Sequence, residues 1–231
     1  MKTNDLLADE RATDKALALP LPLELARPEW DDAGVADFVV FTEPPKAPGI
    51  HAVLQHLRKG VKDAKKLDKG SERYSTLEGF GLHRENGTKP PTVFVEDGIQ
   101  FQRIQYRLIA CTHDLTPIGY CTFDLTLSHG SGCALEVNDV WAEPAWREQG
   151  IGSAFAQIVA RIAAATLEEV DFRLAGGLRH IRSIPILIEA DVYSESGEDF
   201  LFSVGRALEY AADDVMWMSY AGLDIEVEPR W

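Results

Sequence analysis

Residues 104–142 constrain the fold more than any other stretch of the chain. Runs rich in β-forming residues cover 104–112, 118–127 and 134–142. The connections between them, at 114–117 and 128–132, read as hairpin turns, so the three strands are expected to run antiparallel. The period then changes. Over residues 150–169, Ile151, Phe155, Ile158, Ile162 and Ala165 recur at three- and four-residue steps and make one apolar helical stripe. A strand is expected next at 184–193, then a helix at 199–212. A last hairpin is expected to join strands at 215–220 and 223–227 across Ala221 and Gly222. An antiparallel run followed by a strand–helix–strand unit predicts an α/β chain with a mixed sheet, not a doubly wound parallel one.

Upstream the signals are shorter. Residues 36–42 read as a strand, ended by Pro44, Pro45, Pro48 and Gly49. A helix over 50–67 follows from the spacing of Val53, Leu54, Leu57, Val61 and Ala64. A short helix at 71–79, a loop at 79–91 and a strand at 92–96 complete this half. Residues 1–30 read as an N-terminal extension, because Pro20, Pro22 and Pro28 oppose helix and five leucines alternate from Leu17 to Leu25. Residues 31–231 then form a single domain, the size that 231 residues favour.

Charge excludes some partners. Against 23 lysines and arginines stand 37 acids, a net charge of −14. Such a chain repels phosphate backbones and anionic lipid, so no nucleic-acid or membrane partner is expected. No apolar run reaches the ~18–20 residues that span a bilayer, and the acidic first ten residues do not read as a signal peptide. Cys111, Cys121 and Cys133 are odd in number, match no zinc spacing and fall in strand-like runs. They read as small buried hydrophobes in a reducing cytoplasm. The histidines show no metal spacing either; His51 and His56 do not share a helix face, and no metal is expected. Residues 56–73 carry a net charge of +4, either as a solvated helix face or as a contact for an anion.

The segment that carries chemistry is Leu135 to Gly152. A strand ends at Pro144, and a helix begins after Gly150 and Gly152. The first turn of a helix has N–H groups without intrahelical partners, and its dipole favours an anion. Glycines at 150 and 152 allow close approach and positive φ, and Arg147 adds a fixed positive charge. This pattern suits a pyrophosphate; the other reading is a plain helix N-terminus with two convenient glycines. A dinucleotide fingerprint would need glycine where Phe155 stands, and the Walker lysine is missing.

Pro144-x-x-Arg147-x-x-Gly150-x-Gly152 after a strand resembles the acyl-CoA-binding motif of the GNAT acyltransferase superfamily, Arg/Gln-x-x-Gly-x-Gly/Ala. The resemblance is closest over residues 104–167, and the element order matches over 36–227. It implies a GNAT-like fold: a central, mostly antiparallel twisted sheet flanked by helices and splayed at the strand pair that takes the cofactor. It implies transfer of an acyl group, acetyl by default, from acyl-CoA to a primary amine. Val140, Trp141 and Ala142 would face the pantetheine arm. Arg147, Glu148, Gln149, Gly150, Ile151, Gly152 and Ser153 would surround the pyrophosphate.

Some family members carry a base eleven residues before the motif arginine, and Glu136 has that offset from Arg147. The other reading of Glu136 is an exposed strand carboxylate. The tyrosine that often protonates the leaving thiolate is replaced. With Gly205 taken as the glycine ending its helix, Leu201 stands at that position, and Tyr193 is the substitute candidate. The departure keeps open an alternative, a catalytically weak or inactive CoA-binding or regulatory module. The acceptor would be a small-molecule or protein amine. Residues 186–231 hold eleven acids against two arginines, which favours a cation, with Glu189, Asp191 and Glu195 as candidate contacts. A cytoplasmic protein is expected, and a homodimer is compatible with the sequence.

Overall fold

The structure, a computed structural model, describes residues 29–30, 38–42, 92–113, 116–128, 132–174 and 183–231. The expected helices at 50–67 and 71–79, the basic stretch at 56–73 and most of the N-terminal extension lie outside the described residues.

Among the described residues, eight strands form one sheet. They are β1 (Glu29–Trp30), β2 (Phe38–Thr42), β3 (Thr92–Glu96), β4 (Ile99–Thr112), β5 (Pro117–Ser128), β6 (Gly132–Ala142), β7 (Ile184–Asp191) and β8 (Leu223–Arg230). Their order is β1-β2-β4-β5-β6-β7-β8, with β3 paired to the free part of the β4 edge beside β2. Pairing is antiparallel from β1 to β6 and parallel from β6 to β8. The mixed sheet expected from the sequence is present. The closing hairpin is not: residues 215–221 hold bends and irregular backbone and no strand, and β8 pairs with β7 in parallel.

Helices α1 (Ile151–Leu174) and α2 (Glu195–Asp213) make the two parallel crossovers. Both step the same way across the sheet, so right-handed connections put both on one face. There α1 lies over β5 and β6, α2 lies over β7 and β8, and the helices touch each other. Ile151, Phe155, Ile158, Val159, Ile162 and Leu167 of α1 bury against Phe123, Leu125, Leu135, Ile186 and Ile188 of the sheet. By length and composition, residues 151–172 would pass as a membrane span, contrary to the sequence expectation; they are mostly buried in this core. The three cysteines form no disulfide and are buried, as expected, and burial pushes the Cys121 and Cys133 thiols well up from their ordinary range.

Two side chains fix the ends of these elements. Ser194 Oγ accepts the Gly197 amide at 3.2 Å and caps α2, whose first turn carries Glu195 and Glu198. Asp171, 1% exposed near the end of α1, accepts the amides of Met218, Ser219 and Tyr220 at 2.6, 2.9 and 2.7 Å.

Candidate active site

β6 leaves its partner where it bulges. It pairs with β5 as Thr122↔Asp139 and Phe123↔Val137, so Asn138 is an extra residue. A bulge bends a strand and sharpens its twist. On the other side, β6 pairs with β7 from Cys133↔Ile186 only as far as Glu136↔Glu189. Among the described residues, no strand pairs with residues 137–142 on their β7-facing side. The gap is a cleft of about 360 Å³. Val137, Trp141 and Ala142 line its β6 side, Ile151, Gly152 and Phe155 its α1 side, and Val192, Tyr193, Phe200 and Leu201 the side opposite β6.

The mouth of the cleft is built by the loop before α1. The Glu143 amide bonds the Ile118 carbonyl at 2.8 Å, and a single 3-10 turn, Pro144–Trp146, follows. Glu148 and Gly150 then take φ of 63° and 88°. At Gly150 nothing lies within 4 Å of where a Cβ would stand, so the left-handed backbone, and not crowding, favours glycine there. The first bond of α1 runs from the Ala154 amide to the Gly150 carbonyl at 2.9 Å. The amides of Ile151, Gly152 and Ser153 lie ahead of it and have no intrahelical acceptor. Side chains brace this loop from within. Arg147 Nε donates to the Ala142 carbonyl at 3.1 Å with its guanidinium 5.9 Å from the Trp141 ring centroid, and Gln149 Nε2 donates to the Ala145 carbonyl at 2.8 Å.

Of the residues singled out in the sequence, Val140, Trp141, Ala142, Arg147, Ile151, Gly152 and Tyr193 line the cleft. Glu148, Gln149, Gly150 and Ser153 belong to the loop and first turn beside it. Glu136 stands at the root of the cleft, on the last rung shared with β7. Its carboxylate pairs with Arg230 Nη2 at 3.3 Å. The cation that meets Glu189 and Asp191 is also Arg230, at 3.1 and 3.0 Å. Tyr193 lies past the end of β7, which stops at Asp191, and is 91% exposed. Gly205 does not end its helix; α2 continues to Asp213. Leu201 is fully buried in the cleft wall.

Sequence reasoning gave no site role to Asn138, Phe155, Phe200 or Asp124. Asp124 lies on β5 opposite Glu136 and is 6% exposed. Burial, joined by the Glu136 charge, pushes its carboxyl up from the usual range against the pull of Gln105, Arg103 and Asn138. Tyr120, stacked on Trp141, is pushed up to about 12 by burial and by Asp139. Among the described residues, no group of His, Cys, Asp and Glu is arranged to hold a metal.

No family model matches the chain, and no curated protein matches it. Solved structures similar to it include an aminoglycoside acetyltransferase, meta-AAC0020, from an uncultured soil metagenomic sample. In its complex with sisomicin the identity is 14%, over 73% of this chain and 87% of that one, with a TM-score of 0.35. In its complex with trehalose the identity is 13%, with the same coverage and a TM-score of 0.34. Another is the integron cassette protein VCH_CASS6 from the mobile metagenome of V. cholerae, at 13% identity over 74% of this chain and 85% of that one, TM-score 0.38.

Proposed function

We propose that the protein is an acyl-CoA-dependent N-acyltransferase of the GNAT type, with acetyl as the default donor group and a primary amine as acceptor. The observation that carries this reading is the parting of β6 from β7 beside the bulge, in a cleft that the N-terminus of α1, whose first amides have no intrahelical acceptor, also lines. The two features together suit one extended ligand with an anionic end. The amides of Ile151, Gly152 and Ser153, with Arg147 beside them, would hold the pyrophosphate. The open backbone of Val140, Trp141 and Ala142 would hold the pantetheine arm, as a sheet edge takes an added strand.

When bound, acyl-CoA supplies an activated thioester. What the chain must add is orientation and proton transfer. The acceptor has to attack as a neutral amine. Glu136, at the root of the cleft, would take its proton directly or through water. Tyr193, on the rim, would offer its phenol proton to the departing sulfur. The buried Leu201 has no proton to give, and this favours a second reading, a CoA-binding module with weak or no turnover.

Calorimetric titration with acetyl-CoA tests the binding step. The parent should bind, and Gly150→Glu and Gly152→Glu should not, because a carboxylate there blocks and repels the pyrophosphate. Folded variants that bind as tightly as the parent would sink the cradle. Thiol release over an amine panel then separates enzyme from binding module. Glu136→Gln should lower turnover by ~10²–10⁴-fold with acetyl-CoA binding kept. A parent that binds but releases no thiol with any amine would leave the module reading standing.

A further inference from the structure

The fork of the sheet carries a charge problem that one side chain solves. The last β6–β7 rung sets Glu136 against Glu189 on the same face. Like charges directly opposite weaken a strand pair. Asp191, two residues along β7, adds another carboxylate to that face, Glu228 stands opposite Glu189 on β8, and Asp124 stands opposite Glu136 on β5. Arg230, which pairs with Asp191 from β8, reaches back across β7 and places a different nitrogen on each. Nη2 lies 3.3 Å from Glu136, Nη1 3.1 Å from Glu189 and Nε 3.0 Å from Asp191. Its carbonyl also accepts the Val192 amide at 2.7 Å. Asp191 and Val192 are cleft residues. One residue therefore holds a wall of the cleft by its main chain and the root by its side chain.

We propose that Arg230 is a positioning residue that fixes where β6 and β7 part and so sets the width of the cleft. The functional meaning of that width rests on reading the cleft as the acyl-CoA site. Without the guanidinium, the three carboxylates it contacts, with Glu228 beside them, face one another uncompensated. The rung at Glu136↔Glu189 then opens first, and the cleft deepens toward Leu135 and Ile188. Lysine cannot replace the fork, because it offers one compact ammonium where three separate contacts are made.

The test uses the full chain with Arg230→Gln, Arg230→Lys and the double variant Arg230→Gln/Glu189→Gln. Amide hydrogen exchange is read at residues 135–137 and 188–190, with the middle of α1 as reference. Arg230→Gln should exchange on the order of fivefold faster at the fork alone, the scale of a cross-strand charge contact. Arg230→Lys should fall between it and the parent. The double variant should recover most of the protection, because one of the opposed charges is gone. Acetyl-CoA affinity by calorimetry should fall in Arg230→Gln and recover in the double variant. A role confined to general stability would speed exchange everywhere and give no such recovery. Fork amides that exchange as in the parent, or a double variant no better than Arg230→Gln, overturn the assignment. If exchange behaves as expected but the parent binds no acetyl-CoA, the fork role stands and the acyl-CoA reading falls.

Discussion

Glu136 and Asp124 stand side by side on neighbouring strands, yet their surroundings differ. Glu136 is partly exposed and ion-paired with Arg230. Asp124 is buried among Gln105, Asn138 and Arg103, and its carboxyl is pushed above the usual range. The sign of the consequence is fixed by linkage. A raised carboxyl keeps its proton in the folded state where the unfolded chain has released it. Its contribution to stability is whole below the unfolded value and is lost as pH rises through the folded one. Asp124→Asn removes that loss while keeping the shape and hydrogen-bonding reach of the side chain. In urea denaturation, the stability of the variant relative to the parent should grow as pH is raised from about 4 toward 7. A difference that is flat, or shrinks, would mean that Asp124 ionises without cost. The sequence singled out Glu136 because its offset from Arg147 is a linear property. Asp124 gained its place only through the β5–β6 register, which no local pattern announces.

At the scale of elements, the Gly205 backbone shows how closely α2 lies on β8. A Cβ built there would stand 2.7 Å from Val227 Cγ2, the branch of a short, stiff side chain. Gly205→Ala should therefore destabilise by about 1–3 kcal/mol, although alanine is the better helix former. Val227→Ala removes the obstructing methyl groups, so the double variant should lose less than the two single losses combined. Strict additivity in denaturant midpoints would show that the contact is relieved elsewhere. The same region marks where the sequence was legible and where it was not. The strand at 92–96, the β4–β5–β6 meander and the long helix were visible because each keeps one period over many residues. The expected strand at 215–220 has strand-like composition, but the Asp171 carboxylate, distant in sequence, takes the amides of Met218, Ser219 and Tyr220 that a ladder would need. The strand expected to reach Tyr193 stops at Asp191 because Ser194 caps α2, which begins four residues earlier than the apolar pattern suggested. The cleft loop was legible in Gly150 and Gly152. The bulge that opens the cleft was not, since one extra residue in β6 leaves no mark in composition.

For the whole molecule, the net charge of −14 sets a field that every charged ligand meets before it meets the cleft. Eleven of the acids lie in residues 186–231, and Asp224, Glu226 and Glu228 stand exposed along the edge strand β8. Acyl-CoA, carrying several phosphate charges, would have to approach against this field. The attraction at the α1 N-terminus is local and acts only within about a turn of the helix. The repulsion is long-ranged, and salt screens long-ranged terms first, over ~8 Å at physiological ionic strength. The association rate of acetyl-CoA should therefore rise as salt is raised from ~0.02 to ~0.2 M. A cationic amine feels the same field with the opposite sign, so its kcat/KM should fall over that range. The pair of opposite slopes is the informative outcome, because a general salt effect on folding or turnover would move both the same way. Stopped-flow association for acetyl-CoA and initial rates for the amine, measured in the same buffers, read the two slopes. If the acetyl-CoA rate falls with salt, the local charge at Arg147 and the helix terminus governs entry. If the amine rate ignores salt, the carboxylates of the C-terminal half do not steer the acceptor. In that case they are left with the role visible at Arg230, that of ion-pair partners within the sheet.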